Sequence, residues 1–170
     1  LTLASLLRIR DNGLPQPAGA FCVSPWTNLT ATGSTMFTNA KADPIFAVSK
    51  VEDMVKVARF YAPDVDLTDP YISPAFGDFT GLAPLLIYAG STEILLNDAQ
   101  RVVAKAKEAG VPVEFKVWSQ MPHSFHVLAG FLPEGKKAIR KISNFVHQQF
   151  DGVDIQESRQ QPQQSVQPQH

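Results

Sequence analysis

The chain has 170 residues, 44% of them hydrophobic and 18% charged, and a formal net charge of −1. That is enough for one domain with a hydrophobic core. It gives no electrostatic ground for a nucleic-acid or anionic-membrane partner, and no apolar run approaches the roughly 20 residues that span a bilayer. The single cysteine, Cys22, excludes an internal disulfide and favours a reducing, cytoplasmic compartment.

The sequence opens inside an apolar, helix-forming run, Leu1 to Arg10, which ends at Asn12-Gly13, a usual helix stop. No N-cap precedes Leu1, so the helix is expected to begin upstream and the chain to be part of a longer protein. Ala18 to Val23 is a short apolar run bounded by prolines and predicts a buried strand. A polar stretch from Thr27 to Asn39 follows, with a chance-level glycosylation sequon at Asn28-Leu29-Thr30. Ser49 and Glu52 form a capping box for a helix reaching Tyr61, closed by Pro63. Residues 62–82 predict a loop.

Pro84 to Gly90 is apolar without alternation, the pattern of a strand covered on both faces. Asp98 to Ala109 predicts a helix with Ala99, Val102, Val103 and Ala106 on one face and Gly110 at its end. Val113 to Trp118 alternates, as in a strand nearer a sheet edge. Pro133 opens a last helix with Ile139, Ile142, Phe145 and Val146 as its core stripe. Helices alternating with strands predict an α/β fold with a parallel sheet over residues 1–150. From Asp151 the Gln/Pro-rich tail predicts disorder.

In such sheets the chemistry collects at the carboxyl ends of the strands. Two ends carry titratable groups: Glu93 after the strand ending at Gly90, and His123 after the strand ending at Trp118. They are 30 residues apart, about one crossover unit, so neighbouring parallel strands would bring them together. A carboxylate there can accept the imidazole Nδ1 proton, at roughly 2.6–3.2 Å in a well-formed site. Thr92 should then point away. Asp98 is the alternative acid, although a helical turn further on it should face solvent. Glu93 also has a plainer reading, as a first-turn helix residue favoured by the dipole. His126 and His147 read as ordinary surface or packing residues. Asp43-Pro44 and Asp69-Pro70 read as turn formers without chemistry. Trp26, Trp118 and Phe125 either line a pocket or, more commonly for such aromatics, belong to the core.

Five segments in this order resemble the hormone-sensitive-lipase-like esterases of the α/β-hydrolases. They are Ser24-Pro25-Trp26, Asp69 to Pro74, Gly81 to Ile87, Glu93-Ile94-Leu95-Leu96 and Gln120-Met121-Pro122-His123. The resemblance, which runs from Leu1 to about Phe150, implies a C-terminal half of that fold. It implies His123 as catalytic base and a triad order of serine, acid, histidine. Many relatives have Asp where this chain has Thr92, which cannot be the acid; the role moves to Glu93, with Asp98 in reserve. Relatives often have Gly at the place of Gln120. The resemblance also implies a Gly-x-Ser-Ala-Gly-Gly-Asn elbow just upstream of Leu1.

No serine in these residues sits in G-x-S-x-G, and no His-Gly-Gly run supplies oxyanion donors, so ester turnover by this polypeptide alone is not expected. Ser91 and Ser124 lack an elbow. The implied activity of the whole protein is hydrolysis of small-molecule carboxylic esters, with no metal or organic cofactor. Two other readings stay open: a non-catalytic binder of the same fold, and a peptidase-like hydrolase, against which the Asp69–Pro74 segment argues. Oligomeric state is open as well, a homodimer through an edge strand being one option.

Overall fold

The computed structural model describes residues 1–46 and 51–160, with side chains through Asp151. Its elements are α1 (Thr2–Asp11), β1 (Ala20–Val23), α2 (Thr35–Thr38), α3 (Val51–Tyr61), β2 (Leu85–Gly90), α4 (Leu96–Glu108), β3 (Val113–Trp118) and α5 (Pro133–Gln160). Single 3₁₀ turns at Pro74–Phe76 and Phe125–Leu128 complete it. The strands form one parallel sheet in the order β1-β2-β3.

The burial pattern explains the sequence pattern. All six residues of β2 are buried, because helices cover the sheet on both faces. Leu85, Ile87 and Ala89 point into a core shared with Leu3, Leu6 and Leu7 of α1 and with Ala99, Val102, Val103 and Ala106 of α4. Leu86 and Tyr88, of opposite parity, pack with Trp118, Phe125, Ala138 and Phe145 on the α5 side. Each fully buried leucine or isoleucine there contributes roughly 1.5–3 kcal/mol. β3 is the half-exposed edge that its alternation predicts.

The boundaries differ from the sequence reading at a few places. The helix expected to start at Asp98 begins at Leu96, so Asp98 falls in its first turn. The polar stretch 27–39 contains the short helix α2, too brief for a periodic signal. Helix α5 runs through Gln160, beyond the boundary expected at residue 150, and the rest of the Gln/Pro-rich tail lies outside the described residues. So does the expected cap Ser49, whereas Glu52 is in the first turn of α3. Asn28 of the sequon is fully buried, and its side chain donates to Thr32 Oγ1 at 2.9 Å, so it is no acceptor for a glycan in the folded protein.

Gly90 ends β2 opposite Trp118 of β3. A Cβ there would lie 2.0 Å from the Met121 carbonyl oxygen and 3.0 Å from Glu93 Oε1. The absent side chain lets the loop leaving β3 fold over the tip of β2. Gly90→Ala should therefore cost stability at or above the roughly 1–3 kcal/mol typical of overpacking, because the nearest atoms are backbone. Denaturant unfolding of the two forms measures it; an unchanged midpoint would show that the loop can move aside.

Candidate active site

The site is built from the tips of three adjacent parallel strands. β1 ends into Ser24, β2 into the segment Gly90 to Ile94, and β3 into the loop that carries His123. Glu93 is fully buried. Its Oε1 accepts the Gly90 N–H at 2.5 Å and the Ser24 hydroxyl at 2.6 Å. Its Oε2 faces His123 Nδ1 at 3.5 Å, and neither of these two atoms has a hydrogen-bond partner among the described residues. The separation exceeds the 2.6–3.2 Å expected of a tightened pair. Such contacts are commonly long before a substrate is in place.

The ring also packs against Phe46, edge-on with 5.1 Å between centroids. Phe46 is in turn placed by Asp43, whose Oδ1 accepts the N–H groups of Ile45 and Phe46 at 2.9 and 3.3 Å. The Oδ2 of Asp43 accepts the Ile94 N–H at 2.9 Å, beside Glu93. Asp43 is thus more than a turn former: fully buried, it ties the loop before α3 to the loop after β2. Asn39 adds a second tie, its Nδ2 donating to the carbonyls of Ser91 and Glu93 at 3.1 and 2.9 Å.

Thr92 takes no part at the imidazole. Its hydroxyl donates to the Met121 carbonyl at 2.9 Å, clamping the two loops. Asp98 corrects the expectation that it faces solvent: it is fully buried, and its Oδ2 accepts the Thr27 and Asn28 N–H groups at 2.9 and 2.8 Å. It holds the loop after β1 onto α4, and no contact with His123 is found among the described residues. His126 lies next to the site without an ion pair to Glu93. Burial first, and the neighbouring His123 second, push its imidazole below the ordinary histidine value. His147 is exposed on α5.

Trp118 and Phe125 are core residues in contact with each other, 5.3 Å between centroids. Trp26 is partly buried and lines an apolar cavity of about 270 Å³ with Leu29, Val57, Tyr61, Tyr71 and Ile72. Burial pushes the Cys22 thiol up to about 11, which disfavours its thiolate at neutral pH. Gln120 adopts φ +58°, the left-handed region that favours glycine. Ser24, Asn39, Asp43 and Phe46 were not singled out for chemistry by the sequence, and only Ser24, inside the Ser24-Pro25-Trp26 segment, carried any signal.

Comparison with known proteins agrees with this architecture. Residues 1–127 match the family described as alpha/beta hydrolase fold. The chain is 41% identical to an acetyl-hydrolase of Streptomyces hygroscopicus, over 86% of this chain and 48% of that protein. It is 34% identical to an esterase of Acinetobacter venetianus, over 85% and 47%. Among solved structures it is similar to an esterase from the bacterial hormone-sensitive lipase family, with TM-score 0.82 and 39% identity over 86% of this chain and 48% of that one. An esterase/lipase from an uncultured bacterium gives TM-score 0.82 and 40% identity, over 88% and 49%. The chain belongs to the alpha/beta hydrolase fold family. Within it, the similarity is to the hormone-sensitive-lipase-like esterases, and the chain spans about half the length of the relatives it matches.

Asp98 offers a test in pH. Burial pushes its carboxyl up to about 6, against the opposing pull of the Thr27 and Asn28 N–H groups. A folded value above the unfolded 3.8 means that the folded state binds the proton more tightly, so this group's contribution falls as pH rises from about 4 to about 6. Asp98→Asn removes that dependence. The stability of the variant relative to the native protein should rise across this window by up to roughly 3 kcal/mol. Thermal melts of both forms at pH 4 to 7 measure it; a parallel pair of curves would refute the assignment.

Proposed function

We propose that the whole protein containing this chain is a serine esterase that hydrolyses small-molecule carboxylic esters, with His123 as its base and Glu93 as the triad acid. The observation that carries this reading is the Glu93 Oε2–His123 Nδ1 pair, 3.5 Å apart at the tips of adjacent parallel strands. It is supported by the esterase names of the relatives and of the similar structures.

In this mechanism a serine outside these 170 residues attacks the ester carbonyl. His123 takes its proton on Nε2 while Nδ1 stays directed at Glu93. The buried carboxylate stabilises the imidazolium formed in that step and fixes the tautomer. His123 then returns the proton to the leaving alcohol. A water molecule, deprotonated by the same imidazole, releases the acyl group. The chain's own contribution is thus to hold and move one proton, and to keep the group that does so in one orientation. Two further readings belong with this proposal: a cytoplasmic location, supported by the lone cysteine, and pairing of two copies through the edge strand β3. No described helix is long and apolar enough to cross a membrane.

Kinetics of the whole protein on a short-chain nitrophenyl ester test the assignment. His123→Ala should lower kcat by several orders of magnitude, as removal of a triad member does, while His126→Ala costs less than about tenfold. Glu93→Gln keeps the shape but not the charge, so kcat should fall steeply with KM little changed. Equal losses at His123 and His126 would sink the choice between them. Full activity in Glu93→Gln would remove the acid from the scheme.

A further inference from the structure

The triad reading leaves open what aims the carboxylate. Glu93 sits past the end of β2 on a side chain with three rotatable bonds, and only one of its oxygens faces the imidazole. If either oxygen could turn toward His123, the pair would lose its fixed geometry. The other oxygen must therefore be held, and the groups that hold it are the Gly90 N–H and the Ser24 hydroxyl.

Ser24 touches all three strand tips. Its backbone N–H donates to the Tyr88 carbonyl at 2.8 Å, which extends the β1–β2 ladder by one bond. Its hydroxyl donates to Glu93 Oε1 at 2.6 Å. Its Oγ accepts the N–H of Ser124, the residue after His123, at 2.9 Å. The direction of this relay is dictated by chemistry, because a backbone N–H can only donate and an ionised carboxylate can only accept. The single hydroxyl proton therefore goes to Glu93, and a lone pair is left for Ser124. The loops carrying Glu93 and His123, which meet this oxygen through Glu93 and Ser124, 31 positions apart in sequence, are coupled through one atom.

The backbone gives an independent indication. Ser24 has φ +52°, where a residue with a Cβ pays about 1–2 kcal/mol and glycine does not. It is also 4% exposed, so solvent contact does not account for its polarity. A glycine would relieve the backbone, yet it would leave Glu93 Oε1 with a single donor and the Ser124 N–H without an acceptor.

Resting on the triad reading, we propose that Ser24 is a positioning residue: its hydroxyl locks Glu93 Oε1 so that Oε2 stays aimed at His123 Nδ1, and it anchors the histidine loop through Ser124. Ser24 touches no reacting atom. Its effect passes through Glu93 and His123, so it acts on the proton-transfer step more than on substrate affinity.

The experiment uses the whole protein with Ser24→Gly and Ser24→Thr, alongside Glu93→Gln and His123→Ala. Glycine suits the backbone and lacks the hydroxyl, whereas threonine keeps the hydroxyl and is strained at positive φ. The two variants therefore separate activity from stability. Ser24→Gly should lower kcat about 10–100-fold with KM within about threefold of the native value. Ser24→Thr should melt at a lower temperature and keep kcat within about threefold. Proton NMR of the substrate-free protein adds a readout independent of turnover: the low-field His123 Nδ1–H resonance should broaden or vanish in Ser24→Gly. Should Ser24→Thr not fold, the kcat–KM split and this resonance in Ser24→Gly decide the matter. Native kcat in Ser24→Gly, or kcat that simply follows melting temperature across the set, would overturn the proposal. Full activity in Glu93→Gln and His123→Ala would instead overturn the triad reading beneath it, whereas loss in those two with native kcat in Ser24→Gly removes Ser24 alone.

Discussion

The in-register pairing of β2 with β3 is the constraint on which the candidate site rests. Gly90 lies opposite Trp118, so both strands run out at the same level and their following loops must pass over one another. Two backbone bonds close that crossing, from Ser91 N–H to the Trp118 carbonyl at 2.9 Å and from Thr92 N–H to the Met121 carbonyl at 3.4 Å. The missing Cβ of Gly90 supplies the room. Slipping the pairing by one residue would turn Leu86 and Tyr88 from the α5 face to the α1/α4 face. It would also part Glu93 from His123. The two hydrophobic cores thus fix the strand register, and the register fixes the distance between Glu93 and His123.

Around that crossing, buried polar groups replace the regular ladder that ends with the strands. Asn39, Asp43 and Ser24 each satisfy backbone or carboxylate atoms of the 90–94 segment, and Thr92 within it donates to the Met121 carbonyl. A loop carrying a buried carboxylate could not otherwise keep one conformation, since its unpaired N–H and C=O groups would each be costly away from water. Rigidity at the site therefore comes from hydrogen bonds between loops. Rigidity of the scaffold comes from apolar packing.

The scaffold was the legible part. Apolar continuity marked β2, alternation marked β3, and the 3.6-residue stripe of Ala99, Val102, Val103 and Ala106 marked α4, because these patterns are local consequences of which faces are covered. That Glu93 and His123 come together was legible from their places just past the ends of adjacent strands. What stayed hidden depends on partners distant in sequence. Ser24 meets Glu93 across 69 positions, Asp98 meets Thr27 across 71, and Asp43 meets Ile94 across 51. Nothing near Asp43 separates a turn-forming aspartate from a buried tie. Asp98 in the first turn of a helix looks like an exposed residue favoured by the dipole, until the loop after β1 is folded onto it.

Glu93 and Asp98 show what makes one buried carboxylate a candidate for catalysis and another a brace. Both are fully buried, and both have one oxygen held by two donors. They differ at the other oxygen. Asp98 Oδ1 has no hydrogen-bond partner among the described residues and lies against Gly33, where a Cβ would approach it to 3.2 Å. Burial outweighs the pull of the Thr27 and Asn28 N–H groups and of the Arg101 charge, and the carboxyl is pushed up to about 6. Glu93 Oε2 instead faces an imidazole that can become cationic, so its charge has a counterpart at the moment a proton moves. The acid role proposed for Glu93 rests on what stands opposite the free oxygen. On that criterion the proposed acid role fits Glu93, whereas Asp98, with the same burial and the same number of donors, braces the loop after β1.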